Sequence, residues 1–165
     1  MIDCVGSELR WVSHGVLRPM RSAALATRLA ALMRELSDVV AKYQPDVASV
    51  EGVFVSVSPR SALVLGQARG AALAALGAAA VPLVEYAPAR IKQAVSGNGR
   101  AAKEQIQRMV RRLLALEATP SADAADALAA TICHAHAGPL ECLRRPRTRS
   151  RARARGIDPR VRWAR

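Results

Sequence analysis

Aromatic side chains are scarce in this 165-residue chain, which has one Phe, two Trp and two Tyr. Any core must therefore be built from Ala, Val and Leu. Negative charge is also in short supply, with 13 acids against 25 Lys and Arg for a net charge of +12. That balance disfavours acidic scaffolds and favours polyanionic partners. The three cysteines, Cys4, Cys133 and Cys142, are odd in number and lack CxxC spacing. They do not make a disulfide framework and fit the reduced thiols of a cytosolic protein. No apolar run reads as long enough to span a bilayer, because Gly77 and Pro82 interrupt the Ala-rich stretch after Gly70. The start lacks a charged n-region followed by an apolar h-region, so no signal peptide is expected. No internal repeat is present.

Hydrophobic residues make up 51% of the chain, enough for one domain with a core of its own. The positive charge is concentrated at the C-terminus. Between Arg144 and Arg165 stand ten Arg and one acid, Asp158, which leaves 15 basic and 12 acidic residues for 1–143. A block this dense reads as a disordered arm. The expected division is a globular α/β domain over 1–138 and an Arg-rich tail over 139–165.

Periodicity sets the order of elements. Residues 1–5 and 9–17 read as a hairpin through a Gly6-Ser7 turn. Residues 22–43 form an amphipathic helix, with Leu25, Leu29, Leu32, Leu36 and Val40 at three- and four-residue steps. Residues 47–54 read as a strand, 61–80 as a Gly- and Ala-rich helix and 82–86 as a short strand. Residues 90–95 form a helical turn closed by the loop 96–99. Helices over 101–116 and 122–135 follow. Strands alternating with helices give an α/β domain.

The chemistry begins where an apolar strand, Val47-Ala48-Ser49-Val50, ends on Glu51. In an open α/β sheet a strand end faces the crevice where ligands bind. A solvated Glu at a strand tip is the plain alternative. Downstream, Asp123 and Asp126 stand three apart near a helix start, so both lie on one face amid alanines. Acids there complement the helix dipole whatever else they do. With Glu51 they equally make three oxygen ligands for a hard divalent cation such as magnesium, the cluster used in metal-assisted phosphodiester hydrolysis. Spacing alone leaves both readings open. Cys133, His134 and His136 sit close together, but zinc needs four well-placed ligands, and a helix C-terminus with incidental His and Cys is the better reading.

Four stretches together carry a family resemblance: Ser49-Val50-Glu51-Gly52-Val53-Phe54, then Leu65-Gly66-Gln67-Ala68-Arg69-Gly70, then Glu85-Tyr86-Ala87-Pro88-Ala89-Arg90-Ile91-Lys92-Gln93, then Ala122-Asp123-Ala124-Ala125-Asp126-Ala127-Leu128-Ala129. In this order and at these distances the chain resembles RuvC, the bacterial Holliday-junction resolvases, from about Val5 to His136. The resemblance implies an RNase H-like fold, a homodimer, and magnesium-dependent paired nicking of four-way DNA junctions in the cytoplasm. It implies that Glu51, Asp123 and Asp126 are metal-binding catalytic carboxylates and that Phe54 stacks on junction bases. It places Lys92 and Lys103 near the scissile phosphate, with Arg69 and Arg90 as further DNA contacts. The branch-migration proteins RuvA and RuvB are the protein partners it suggests.

The family's fourth carboxylate, an Asp in a Gly-Ile-Asp-Pro-Gly strand, has no counterpart, and Asp3 does not replace it. Met1 to Gly6 resembles the family's second strand, so the expectation is that the central first strand, roughly 15–20 residues with its turn, lies upstream. Gly156-Ile157-Asp158-Pro159 imitates the motif, but Arg151, Arg153 and Arg155 precede it where a buried strand needs apolar residues. It reads as a turn in the basic tail. Two other functions stay in view: a junction-binding protein without catalysis, and an RNase H-like nuclease acting on RNA or other DNA branches.

Overall fold

The computed structural model describes residues 1–52 and 58–137. Phe54 and the Arg-rich tail lie outside the described residues. The chain starts with a hairpin, β1 (Ile2–Val5) and β2 (Glu8–Trp11), antiparallel with Ile2 opposite Trp11 and Val5 opposite Glu8. Gly6 takes φ 62 in the two-residue loop, a conformation that glycine adopts without strain. The second strand stops at Trp11, short of the expected residue 17. Beyond it the ladder closes on a shared acceptor, the Met1 carbonyl, which accepts from both Val12 and Ser13.

Helix α1 (Leu25–Tyr43) ends on Gln44 at φ 46, whose N–H bonds the Val40 carbonyl. Strand β3 (Ala48–Glu51) leads to helix α2 (Pro59–Ala78) and then strand β4 (Leu83–Tyr86). The two strands are parallel, with Glu51 level with Tyr86. Pro59 opens α2 at its first position, and the Ser58 hydroxyl accepts from the Ser61 N–H at 3.4 Å. The helix expected over 61–80 thus starts two residues earlier, at Pro59. Helix α3 (Pro88–Ser96) repeats the device with Pro88 and ends on Gly97 at φ 74. Helices α4 (Lys103–Leu113) and α5 (Ala122–Ala137) complete the chain.

The core lies between α3, α4, α5 and β4. Leu128, Ile132, Val110 and Cys133 are its largest fully buried side chains. Helix α5 is buried on most of its circumference, including Ala124, Ala125, Ala129 and Ala130. Small residues let α3, α4 and β3 approach it closely, so it can seat a carboxylate beside β3. The described strands form two separate two-stranded sheets, β1-β2 and β3-β4, and among the described residues no strand joins them.

Helix α2 corrects one expectation. Its 20 residues are long and apolar enough, by length and composition alone, to cross a membrane. Yet it packs on α1, and Arg69 in its middle is bonded to β3 and β4. Those are the contacts of a helix docked on its own domain. It remains widely exposed, with Leu63 at 63% and Leu65 at 53%, and only Ala75 and Leu76 buried.

Candidate functional site

Parallel pairing, in which alternate residues of a strand face the same neighbour, ties β3 to β4: the Ala48 N–H reaches the Pro82 carbonyl, and the N–H of Gly52, just past the strand, reaches the Tyr86 carbonyl, each at 2.8 Å. Glu51, between these, ends the strand at the C-terminal edge of the parallel pair, the side where such sheets gather ligands. Pro88 starts α3 two residues after β4 ends, and Lys92 follows one turn later. Lys103 is the first residue of α4. Asp126 lies in the second turn of α5. These elements close a cavity of about 170 Å³ lined by Glu51, Lys92, Lys103 and Asp126, with Pro88, Ile91, Ile106 and Ala129 as its apolar wall.

The site sets two carboxylates against two ammonium groups. Partial burial, and secondarily the Asp126 carboxylate, push the Glu51 carboxyl above its ordinary range, while Lys92 and Lys103 pull it back. The Lys103 ammonium stands 3.3 Å from the Asp126 carboxylate, both side chains about half exposed at 51% and 48%. A pair this wet contributes at most about 1 kcal/mol to stability. Its value lies in holding cations and anions in one small volume.

Other residues singled out in the sequence go elsewhere. Asp123 does not join this pocket. It borders a larger cavity of about 510 Å³ formed by residues 16–21 and Arg28. A three-residue step on a helix turns a side chain by about 60° and moves it about 4.5 Å along the axis. Sharing a broad face therefore does not bring both acids to one point. Arg69 is engaged by protein: one guanidinium nitrogen donates to the Glu51 carbonyl at 2.8 Å and another pairs with Glu85 at 2.7 Å. Arg90 lies over the Tyr86 ring, 5.5 Å from its centroid, and its charge acts on the Cys133 thiol. Neither arginine lines the pocket. Burial pushes the Cys133 thiol up, and Arg90 draws it down. His134 Nδ1 is 2.8 Å from the Tyr86 hydroxyl, and His136 bonds the Ala94 carbonyl, so these side chains serve packing.

Tyr86 is the residue the sequence reading missed. Its main chain holds Gly52, and its hydroxyl reaches His134 on α5. It therefore couples the strand carrying Glu51 to the helix carrying Asp126. Its only sequence signal is a tyrosine closing an apolar strand, which marks burial and no more.

Two carboxylates around one small cavity fit a hard divalent cation, which accepts one or two protein carboxylates and completes its shell with water or phosphate oxygens. The third expected carboxylate, Asp123, does not line this cavity. Among the described residues no group of three His, Cys, Asp or Glu side chains is placed to hold a metal ion.

The family model described as crossover junction endodeoxyribonuclease RuvC matches residues 1–134. The chain belongs to the RuvC family. The RuvC of Azoarcus sp. strain BH72 is 51% identical over 138 residues, covering 84% of this chain and 75% of that protein. The RuvC of Bordetella pertussis Tohama I is 51% identical over 140 residues, covering 85% and 77%. Among solved structures, Thermus thermophilus RuvC superposes with a TM-score of 0.71 at 31% identity over 82% of each chain. The same protein in complex with a Holliday junction substrate gives 0.75 at 32% identity, over 81% of this chain and 82% of that one. The fold is therefore RNase H-like, and the chain's relatives are hydrolytic nucleases.

Proposed function

We propose that this RuvC-family chain is a structure-selective endonuclease that resolves four-way DNA junctions by paired metal-dependent nicks, in cytoplasmic recombination and repair. The observation that carries the reading is the pocket in which Glu51 and Asp126 face Lys92 and Lys103. Carboxylates alone repel a phosphodiester, and lysines alone only bind it. Together at one strand edge they suit binding and hydrolysis of one phosphate. Glu51 and Asp126 would hold a magnesium ion, with Asp123 the next carboxylate on the same helix. When bound, that ion supplies Lewis-acid activation of water and of the departing oxygen. Lys92 and Lys103 attract and orient the scissile phosphate, and Phe54, next to the site in sequence, is the proposed stacking residue for an unpaired base.

Two symmetric nicks need two sites at a fixed spacing. A twofold dimer meets that need, and the exposed apolar side chains of α2, Leu63, Val64 and Leu65, are the proposed contact surface. RuvA and RuvB are the branch-migration partners this role implies. The naming of the curated relatives as endodeoxyribonucleases supports an enzyme over a protein that only binds junctions.

The test is cleavage of a synthetic four-way junction with and without magnesium. Paired nicks at symmetric positions that appear only with the metal are the expected result. Tight junction binding with no cleavage under any divalent metal would overturn the proposal.

A further inference from the structure

We infer that Arg69 is a positioning residue for Glu51, acting through the main chain and not on DNA. This rests on the proposed role of Glu51. Position 69 is 18 residues from position 51, on a helix that is otherwise mostly exposed. Its side chain is nevertheless only 18% exposed. It makes two directed contacts at once. One nitrogen donates to the Glu51 carbonyl at 2.8 Å, and another pairs with Glu85 at 2.7 Å. Because alternate residues of β3 bond to β4, the Glu51 carbonyl points away from that ladder and takes Arg69 as its donor. Glu85 belongs to β4 and holds the guanidinium in place.

The result is a three-element clamp. Helix α2 grips the last residue of β3, and β4 grips the helix's arginine. The planar fork of Arg meets both acceptors in fixed directions, whereas the compact ammonium of Lys is a point charge without that fork. The Glu51 side chain departs from the backbone unit that Arg69 fixes. Loosening the carbonyl lets the strand end fray and moves the carboxylate relative to Asp126 and Lys103. Misplacement by about 1 Å costs on the order of 100-fold in rate.

The experiment uses the purified chain carrying Arg69→Gln, Arg69→Lys or Glu85→Gln, with Arg60→Gln as an exposed control on the same helix. Arg69→Gln should lower kcat on a four-way junction at least tenfold and leave junction Kd within twofold. The slope of log K against log salt should not change. A phosphate contact predicts the opposite, namely weaker binding and a salt slope smaller by about 0.9. Arg69→Lys keeps the charge and should still lose most of the rate. Glu85→Gln should lower kcat about threefold; if Arg69 served DNA, removing this competing carboxylate would tighten binding instead. The Gly52 amide reports the same geometry without turnover, and its hydrogen exchange should accelerate about tenfold in Arg69→Gln and not in Arg60→Gln. Wild-type kcat with an unchanged Gly52 amide in Arg69→Gln, or a reduced salt slope, overturns the inference. Glu51→Gln separates the two claims. If it cleaves normally, the site reading fails. If it is inactive while Arg69→Gln retains full rate, only the positioning role fails.

Discussion

Replacing Glu51 with Gln should abolish cleavage and at the same time make the protein slightly more stable. The Glu51 carboxyl is held above its ordinary value of 4.5 by burial first and by Asp126 second, with Lys92 and Lys103 opposing. An acid with a raised folded pKa binds its proton more tightly in the folded state. The fold therefore loses stability as pH climbs from the ordinary carboxylate value through the folded one, and the full cost is present at pH 7. Glu51 keeps much of its water, so solvent screening holds the net cost below about 1 kcal/mol. For a chain of this length that bounds the gain in melting temperature for Glu51→Gln at pH 7 to at most about 2–4 °C. The gain should vanish near pH 4, where the wild-type carboxyl is itself protonated, and shrink in 0.5 M salt. The same substitution removes a proposed metal ligand, and cleavage should fall by at least about a hundredfold, since even changes in the shell behind a ligand cost 10- to 100-fold. Thermal melts at the two pH values and single-turnover cleavage measure both arms. A drop of several degrees at pH 7 would show that the carboxylate makes favourable contacts outweighing its burial and its repulsion by Asp126. Near-normal cleavage would remove Glu51 from the site.

The other predictions concern coupling, assembly, charge and thiols. Tyr86→Phe removes the partner of His134 Nδ1 in a buried setting and should cost about 1–3 kcal/mol in denaturant unfolding. Ala74→Glu, at an exposed position on α2, should convert the proposed dimer to monomer in sedimentation and reduce paired nicking more than junction binding. Deleting residues 144–165, with their ten arginines, should weaken binding to junction and duplex alike and flatten the salt dependence without changing the preference for junctions. In a Cys142→Ser background the exposed Cys4 should react with a thiol reagent at once, and Cys133, buried and shifted upward, only on unfolding.

Element order is legible because local chemistry repeats. Pro at a helix's first position and a left-handed residue at its end bound α3, and apolar steps of three and four mark α1 and α4. The same chemistry also moves a boundary: the helix expected over 61–80 starts at Pro59, because Pro at the first position and the Ser58 cap open it earlier. In the site, the strand end and helix starts place Glu51, Lys92, Lys103 and Asp126 at one mouth. What escapes the sequence is direction. Asp123 and Asp126 share a helix face but enter different cavities, and Arg69 and Arg90 are cationic like the lysines yet turn to protein partners. Helical rotation decides the first, and for Arg69 a carbonyl 18 residues distant decides the second, which leaves no mark in local pattern.

The grip of Arg69 on the backbone, rather than on the carboxylate, has a practical use. Any residue at position 51 presents the same carbonyl, so its side chain can be exchanged without releasing the anchor. A Glu51→Gln protein should then be a cast of the working molecule with the chemistry switched off. Immobilised on a resin, it becomes bait: branched DNA captured from cell extracts would stay uncut and could be eluted with salt and sequenced.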